Sequence, residues 1–239
     1  MRLLKPAGSY LKRKVFESLM LVLLFLVPFF VLFITSIDIL PFYIDFGRYE
    51  TPRGIFLVLF FMMGLFSIRR FQVYRRGLKG EKAVATILSE SLNDEYSLLN
   101  DVTLTNMKNS DIDHIVVGPT GIFAIETKNY KGRISYYGDD WEGVHGKPSV
   151  QARINAVKIR EFLEDSPTFT PSQKFVEGLV VFANSQAVLI EKKPPGRVKV
   201  LGINSLTDYI VNKPKKFSAQ EIEFIEQTIK KNIASIDTD

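Results

Sequence analysis

Two apolar runs near the start of the chain are its strongest hydrophobic features. Residues 18–37 contain no charged side chain, and residues 54–68 are again uncharged and strongly apolar. A helix of 20 residues (18–37) is about 30 Å long, the thickness of a bilayer's hydrocarbon core. The first run therefore predicts a membrane-spanning helix, in which Pro28 is tolerated. A signal peptide is the alternative, but the run is longer than usual and no small-x-small cleavage site follows it.

The second run is shorter and reaches the length of a span only when the residues just before it are included. Residues 50–68 then form the second helix, because the side chain of Arg53 can extend toward the membrane surface. A re-entrant or interfacial helix is the alternative for so short a run. Basic residues lie outside both runs, at Arg2, Lys5, Lys12, Arg13, Lys14, Arg69, Arg70, Arg75, Arg76 and Lys79. This bias predicts a membrane anchor of residues 1–76, a multi-pass hairpin in the cell membrane with both termini in the cytoplasm.

From residue 77 the pattern becomes that of an α/β domain. Periodic apolar residues predict helices over residues 77–93, 149–163 and 222–233. Short apolar or alternating runs predict strands over residues 96–105, 133–137, 175–183, 188–190 and 198–201. Helices alternating with strands predict a mixed sheet flanked by helices in a cytoplasmic domain of residues 77–239. In the helix of residues 149–163, the larger apolar side chains predict a buried side of Val150, Ile154, Val157 and Phe162.

A β-hairpin over residues 111–128 is the most distinctive part of this domain. Residues 112–117 and 122–125 are rich in β-branched and aromatic side chains, and the Gly118-Pro-Thr-Gly121 segment between them has the composition of a tight turn. With Pro119 and Thr120 as a two-residue loop, Gly118 faces Gly121. The same register makes Asp113 face Glu126.

Charged side chains gather at the open end of this hairpin. Because strand side chains alternate between faces, Asp111, Asp113, Glu126 and Lys128 share one face, which is apolar nearer the turn. Burying three carboxylates and a lysine is costly unless a ligand offsets their charge. Two facing carboxylates suit a hard cation such as Mg²⁺, which would polarise a phosphodiester and lower the pKa of an attacking water. Lys128 would stabilise the developing charge. A solvated charge cluster is the alternative.

The amino-acid sequence of the hairpin resembles that of a known family. An aspartate followed after 12 residues by Glu-x-Lys, here Asp113, Glu126 and Lys128, is the active-site pattern of the PD-(D/E)xK nuclease superfamily. The string DIDHIVVGPTGIFAIETKNYKG resembles the nuclease-related domain, NERD, of that superfamily. The resemblance implies a restriction-endonuclease-like α/β core over about residues 77–185, a Mg²⁺ or Mn²⁺ cofactor and DNA as the substrate. It does not cover the membrane hairpin.

Two further candidates come from the same resemblance. Gly80 and Glu81 resemble the opening of the NERD domain, and a glutamate on the first helix of the wider superfamily can approach the metal. The alternative for Glu81 is a favourable position near a helix N-terminus. Gln151 resembles a glutamine that packs near the catalytic face, with simple surface polarity as its alternative. Asp111 and Gln151 are therefore predicted to support the site rather than perform the chemistry.

Basic and aromatic residues follow the active-site strand and are candidates for contact with nucleic acid. They are Lys131, Arg133, Tyr136 and Trp141, which could bind phosphates or stack on unpaired bases. A structural strand face with lysines reaching outward is the alternative. His114 falls on the face opposite Asp113, where a buried, hydrogen-bonded histidine is expected rather than a metal ligand.

Composition excludes several other functions. There is no cysteine and there are two histidines, which leaves no thiolate chemistry and no histidine-built zinc site. No phosphate-binding loop motif is present. Residues 1–80 hold 12 Lys and Arg against 4 Asp and Glu, whereas residues 81–239 hold 19 against 22, so a DNA-binding face in the domain must be a local patch. The sequence leaves two functions open besides DNA cleavage, an inactive membrane-tethered scaffold and cleavage of RNA.

Overall fold

The computed structural model of the chain describes residues 1–5, 9–37, 47, 50–105, 111–164 and 174–233. The chain divides into two compact units. One combines Met1–Ser9 with Lys79–Asp239, and the other is Tyr10–Leu78. The first nine residues, which the sequence pattern places with the membrane anchor, therefore belong to the unit that contains the sheet.

The unit of residues 10–78 consists of two apolar helices. The first, α1 (Ser9–Ile34), contains Pro28, and the second, α2 (Glu50–Ser91), begins in this unit and continues past it. Both are long and apolar enough to cross a membrane. Their large apolar side chains are mostly exposed, as at Phe30 and Phe66. Water would disfavour such a surface, whereas lipid would not. Most of the segment between the two apolar runs, residues 38–53, lies outside the described residues.

A six-stranded mixed sheet forms the centre of the other unit. Its strands lie in the order β1-β2-β3-β4-β7-β9. β3 is antiparallel to both of its neighbours, and the other adjacent pairs are parallel. The strands are β1 (Arg2–Lys5), β2 (Ser97–Val102), β3 (Ile112–Gly118), β4 (Gly121–Lys128), β7 (Val176–Phe182) and β9 (Val198–Gly202). As a result β2, β4, β7 and β9 end at the same edge of the sheet.

A second, smaller sheet was not separated from the first by the sequence pattern. It has the order β6-β5-β8, with β5 (Gly132–Tyr137), β6 (Asp140–Glu142) and β8 (Ala187–Lys193). Tyr136 of β5 stacks on Trp141 of β6 at a centroid distance of 4.7 Å, and Trp141 Nε1 donates a hydrogen bond to Ser149 Oγ at 3.0 Å. These contacts hold the small sheet against the start of helix α3 (Pro148–Glu164).

Helices cover both faces of the main sheet. The later part of α2 packs through Val84, Leu88 and Leu92 on one face, in a cluster with residues of β2, β3 and β4. Helices α3 and α5 (Ala219–Lys231) pack on the other face. A short helix, α4 (Leu206–Val211), follows β9, and a capping box of Ser218 and Glu221 begins α5. The predicted α/β fold with a mixed sheet flanked by helices is confirmed.

The first strand was not predicted. β1 pairs in parallel with β2, and the Met1 amine donates to Asp94 Oδ1 at 2.8 Å. Arg2 Nη2 lies 2.7 Å from Glu226 Oε1, which also accepts from Ser97 Oγ at 2.6 Å. The nearly buried Glu226 is thus paired on two sides. Four residues of a basic tail carry too little pattern to predict a strand.

The predicted buried side of α3 is wrong at two of its four positions, whereas Phe162 packs against the core as predicted. Ile154 and Val157 are exposed, and the buried positions include the small residues Ala152 and Ala156. A Cβ atom added at Gly178 of β7 would lie 2.8 Å from the carbonyl oxygen of Ala152. The helix therefore packs backbone against backbone on β7, and small residues fit that gap better than large ones.

Candidate active site

The β3–β4 hairpin has the predicted register. His114 pairs with Ile125 and Gly118 with Gly121, with Pro119 and Thr120 in the turn. Continuing one residue beyond the His114 pair brings Asp113 level with Glu126. Both residues lie at the edge where β2, β4, β7 and β9 end. The tight turn places the two residues opposite each other, and the alternation of side chains along each strand puts both carboxylates on the same face.

Asp113 is held by the strand that carries Glu126. Its Oδ2 accepts a hydrogen bond from the Thr127 backbone N–H at 2.6 Å. The residue keeps part of its surface exposed, but its carboxyl group is recessed. Burial, followed by the negative charges of Glu126 and Glu81, raises the pKa of Asp113 well above its usual value, and the Thr127 hydrogen bond opposes this rise.

Glu126 is buried, with 6% of its surface exposed, and has two partners. Lys128 Nζ donates to its Oε1 at 2.7 Å, and Asn155 Nδ2 lies 3.4 Å from its Oε2. Burial alone would lower the pKa of Lys128, but its ion pair with Glu126 outweighs burial and raises it. Lys128 is therefore a fixed positive charge at neutral pH.

Glu81 approaches the same edge from α2. Gly80 before it permits a close approach, since an added Cβ would lie 2.8 Å from Asn129 Cβ in the segment after β4. Burial, then the charges of Asp101, Glu126 and Asp111, raises the pKa of Glu81 to about 8. Glu81 therefore lies near several carboxylates, whose charges raise its pKa, and near Lys128, whose charge lowers it.

Asp101 is a site residue that the sequence reasoning missed. It lies near the end of β2, is 7% exposed and has a φ of +56°, a left-handed conformation that is uncommon outside glycine. Of the charges that surround Glu81, that of Asp101 raises the pKa of Glu81 the most. The polar Asn100-Asp101 pair at the end of an otherwise apolar strand was the available signal.

His114 is buried on the opposite face of β3, as expected. Its Nδ1 lies 2.6 Å from Asn100 Oδ1. Because an amide oxygen only accepts, Nδ1 carries the proton and Nε2 does not. Burial lowers the pKa of His114 to about 3, so the imidazole is neutral and links β2 to β3 beside Asp113.

The two supporting residues have different positions. Asp111 accepts a hydrogen bond from Thr103 Oγ1 and is half-buried near the start of β3. Gln151 is exposed on α3, and the residue of that helix that contacts Glu126 is Asn155, one turn further along. Asn155 was not among the predicted site residues.

The candidate nucleic-acid contacts divide into two kinds. Lys131 and Arg133 are exposed, at the start of β5. Tyr136 is 3% exposed, donates its hydroxyl hydrogen to Glu191 Oε2 at 2.8 Å and stacks on Trp141. These two aromatic rings therefore pack within the domain, and Tyr136 has no free face for a base.

The carboxylates fit a Mg²⁺ or Mn²⁺ ion better than a metal that needs a complete protein cage. Among the described residues, no three Asp, Glu, His or Cys side chains stand close enough to form a ready-made metal site. Mg²⁺ commonly binds through one or two carboxylates and keeps several waters. Burial and the neighbouring carboxylates raise the pKa values of Glu81 and Asp113 at this edge, and a divalent cation would favour the ionised forms of both groups.

Comparison with known proteins supports the resemblance found in the sequence. Residues 76–183 match the family model of the nuclease-related domain, NERD, which is somewhat under half of the chain. The predicted resemblance is confirmed over these residues. They include the later part of α2, the β3–β4 hairpin, α3 and β7, and so every residue of the candidate site.

An uncharacterized protein of Bacillus anthracis is 42% identical to this chain over 67 residues. The aligned part covers 27% of this chain and 31% of the relative. No solved structure matches the chain.

Proposed function

We propose that the sheet-containing unit is a divalent-metal-dependent nuclease that hydrolyses DNA phosphodiester bonds. The observation that carries this proposal is the position of Asp113 against β4, where its Oδ2 accepts a hydrogen bond from the Thr127 N–H, next to the Glu126–Lys128 ion pair of 2.7 Å. The match of residues 76–183 to a nuclease-related domain supports the same chemistry.

Asp113 and Glu126 would hold the metal, and the charge of Glu81, which acts on Asp113, would favour its binding. Bound Mg²⁺ or Mn²⁺ supplies Lewis acidity and lowers the pKa of a bound water. The Thr127 N–H orients Asp113 through its 2.6 Å hydrogen bond, and Asn155 contacts the second oxygen of Glu126. Ligands held in this way are pre-positioned for the ion.

Lys128 would stabilise the negative charge that develops on the phosphate. Its ammonium group is fixed by Glu126, and its side chain remains 18% exposed. A charged donor in a partly dry site is worth more to a developing anion than the same donor in water. Lys131 and Arg133, exposed just beyond β4, would contribute contacts to the DNA backbone.

We propose further that α1 and the first part of α2 anchor the domain in the cell membrane, with both termini in the cytoplasm. Two features support this topology. The exposed apolar side chains of both helices suit lipid. In addition, β1 precedes the hairpin and pairs with β2, which follows it, so both ends of the hairpin must return to one side. The surrounding basic residues favour the cytoplasmic side.

A cleavage assay tests the activity. The purified full chain would be incubated with linear, circular and single-stranded DNA in Mg²⁺, Mn²⁺ or chelator, beside Asp113→Asn and Glu126→Gln variants. Glu223→Gln, an exposed change on α5, is the matched control. We expect metal-dependent cleavage that both site variants lose and the control keeps. A folded chain that binds DNA or a protein without cutting any DNA or RNA would instead indicate a scaffold.

Reporter fusions test the topology. A reporter active only in the cytoplasm, fused after residue 239, should be active, and one active only outside the membrane should be silent. The opposite pattern would contradict an even number of spans with a cytoplasmic domain.

A further inference from the structure

Contacts between α1 and α2 fix how the two apolar helices align. A Cβ added at Gly64 would lie 2.5 Å from Leu26 Cδ2, and one added at Gly77 would lie 3.3 Å from Leu11 Cδ1. The later glycine of α2, Gly77, lies beside the earlier leucine of α1, Leu11, so the two helices run antiparallel. The start of α1 therefore lies beside the part of α2 that ends this unit.

This alignment brings two basic clusters to one level. Lys12 and Arg13 follow Leu11 directly, and Arg75 and Arg76 directly precede Gly77. Lys14, Arg69 and Arg70 lie closer to the apolar part of the helices. We name the resulting group the basic collar, and its members are Lys12, Arg13, Lys14, Arg69, Arg70, Arg75 and Arg76.

The basic collar has little negative charge to balance it. Within residues 10–34 and 54–78 the sequence contains a single carboxylate, Glu17. Its Oε2 lies 2.9 Å from Lys14 Nζ, and its Oε1 lies 3.6 Å from Arg13 Nε. One carboxylate against seven cations leaves an excess of positive charge in these two stretches of sequence.

The basic collar also has the aromatic residues typical of a membrane surface. Arg70 lies 5.6 Å from the ring centroid of Tyr74, and Arg13 lies 5.9 Å from that of Tyr10. Tyrosine is enriched where the apolar interior of a membrane meets its headgroups. On the side toward Gly64, exposed apolar residues such as Met62 and Phe66 begin within seven residues of Arg69.

We propose that the basic collar binds the phosphate groups of anionic phospholipids, so that the protein prefers acidic lipids around its hairpin. This inference rests on the membrane anchoring proposed above. Arginine presents a planar fork of donors that matches phosphate oxygens, and cations beside an anionic leaflet are attracted to it. A DNA backbone also carries phosphates, but it offers nothing to the exposed apolar residues that continue directly from the collar. A lipid supplies both the phosphate and the acyl chains.

Lipid selectivity of the full-length protein tests the proposal. The chain would be reconstituted in phosphatidylcholine bilayers containing a trace of spin-labelled phosphatidylglycerol or spin-labelled phosphatidylcholine. Electron paramagnetic resonance then gives the relative association of each label with the protein. We expect about a five-fold preference for the anionic label, the effect of one cation beside an anionic surface. High salt should remove it, because 1 M salt screens charges beyond about 3 Å.

Paired variants assign the selectivity to the collar. Arg69→Gln/Arg70→Gln should lower the preference, and Lys12→Gln/Arg13→Gln should also lower it, which provides a second test if the first variant folds poorly. Lys192→Gln/Lys193→Gln removes the same charge from exposed residues of β8 and should leave the preference unchanged.

Several results would overturn the proposal. Equal association of the two labels with the wild-type protein would do so, as would an unchanged preference in both collar variants. Collar variants that lose DNA binding but keep their lipid preference would assign the collar to nucleic acid. A chain that alkaline carbonate extracts from membranes would overturn the anchoring itself, whereas an inserted chain without selectivity would overturn only the role of the collar. Nuclease activity does not enter either measurement.

Discussion

Ionisation of Glu81 should destabilise the metal-free protein, and replacing Glu81 by Gln should remove that effect. The pKa of Glu81 is about 8 in the folded chain against an ordinary value of 4.5, because of burial and then the charges of Asp101 and Glu126. Between these values the folded chain keeps a proton that the unfolded chain releases. The stabilisation is therefore complete below about pH 4.5 and is lost as the pH rises through 8.

The size of the effect follows from the separation of the two pKa values. One proton of difference changes the free energy of unfolding by about 1.4 kcal/mol per pH unit. Since Glu81 is partly exposed, solvent reduces this, and we expect a loss of about 1 kcal/mol per pH unit between pH 5 and 8. A cation reverses the balance, because it binds the ionised carboxylates. Mg²⁺ should therefore stabilise the protein more at pH 8 than at pH 6.

Denaturant unfolding of the full chain in detergent measures this slope. The single tryptophan, Trp141, lies in the sheet-containing unit, so its fluorescence reports unfolding of that unit. Unfolding would be recorded at pH 6, 7 and 8 in chelator, for the wild type, Glu81→Gln and Glu90→Gln. Glu90 is an exposed glutamate of the same helix and provides the control.

The wild type and Glu90→Gln should share one slope, and Glu81→Gln should have a flatter one. If Glu81→Gln keeps the wild-type slope, Glu81 does not titrate in this range and the described charge environment is incorrect. If Mg²⁺ stabilises the wild type equally at pH 6 and pH 8, metal binding is not linked to these carboxyl groups.

Three further substitutions test separate parts of the structure. Asn155→Ala should weaken metal activation of cleavage about ten-fold, as loss of a metal ligand's hydrogen-bond partner does, whereas Gln151→Ala should have little effect. Similar losses in the two variants would contradict the contact of Asn155 with Glu126. Gly178→Ala should cost about 2 kcal/mol in denaturant unfolding, since its Cβ would meet a carbonyl oxygen of α3, and unchanged stability would show that the packing is looser. Glu226→Ala should cost about 2 kcal/mol by leaving the buried Ser97 hydroxyl without its acceptor and Arg2 without its ion pair. It should also speed amide exchange in β1, and unchanged exchange would argue against the Arg2 contact.

Local features of the sequence were sufficient to predict the hairpin and its register. A tight turn and a two-residue period act over fewer than 20 residues, so Asp113 and Glu126 could be paired without knowledge of the rest of the fold. The helices and strands of the domain followed from the same kind of periodicity.

Features that depend on distant packing could not be predicted in this way. The buried side of α3 is set by its close approach to Gly178, which favours Ala152 and Ala156 over the larger apolar residues. Asn155 lies on the same buried side of α3 as these two alanines, and this position brings it into contact with Glu126. β1 depends on pairing with β2, which lies more than 90 residues away in the sequence, and its four residues have no periodicity of their own.

Location of a bound Mn²⁺ ion tests the central claim most directly. Crystals of the full chain grown with Mn²⁺ would be measured at a wavelength where manganese scatters anomalously. The account predicts a peak in contact with carboxylate oxygens of both Asp113 and Glu126, absent from Glu126→Gln crystals. An ion bound elsewhere, or no ion at saturating Mn²⁺, would contradict the assignment of this hairpin as the metal site of a nuclease.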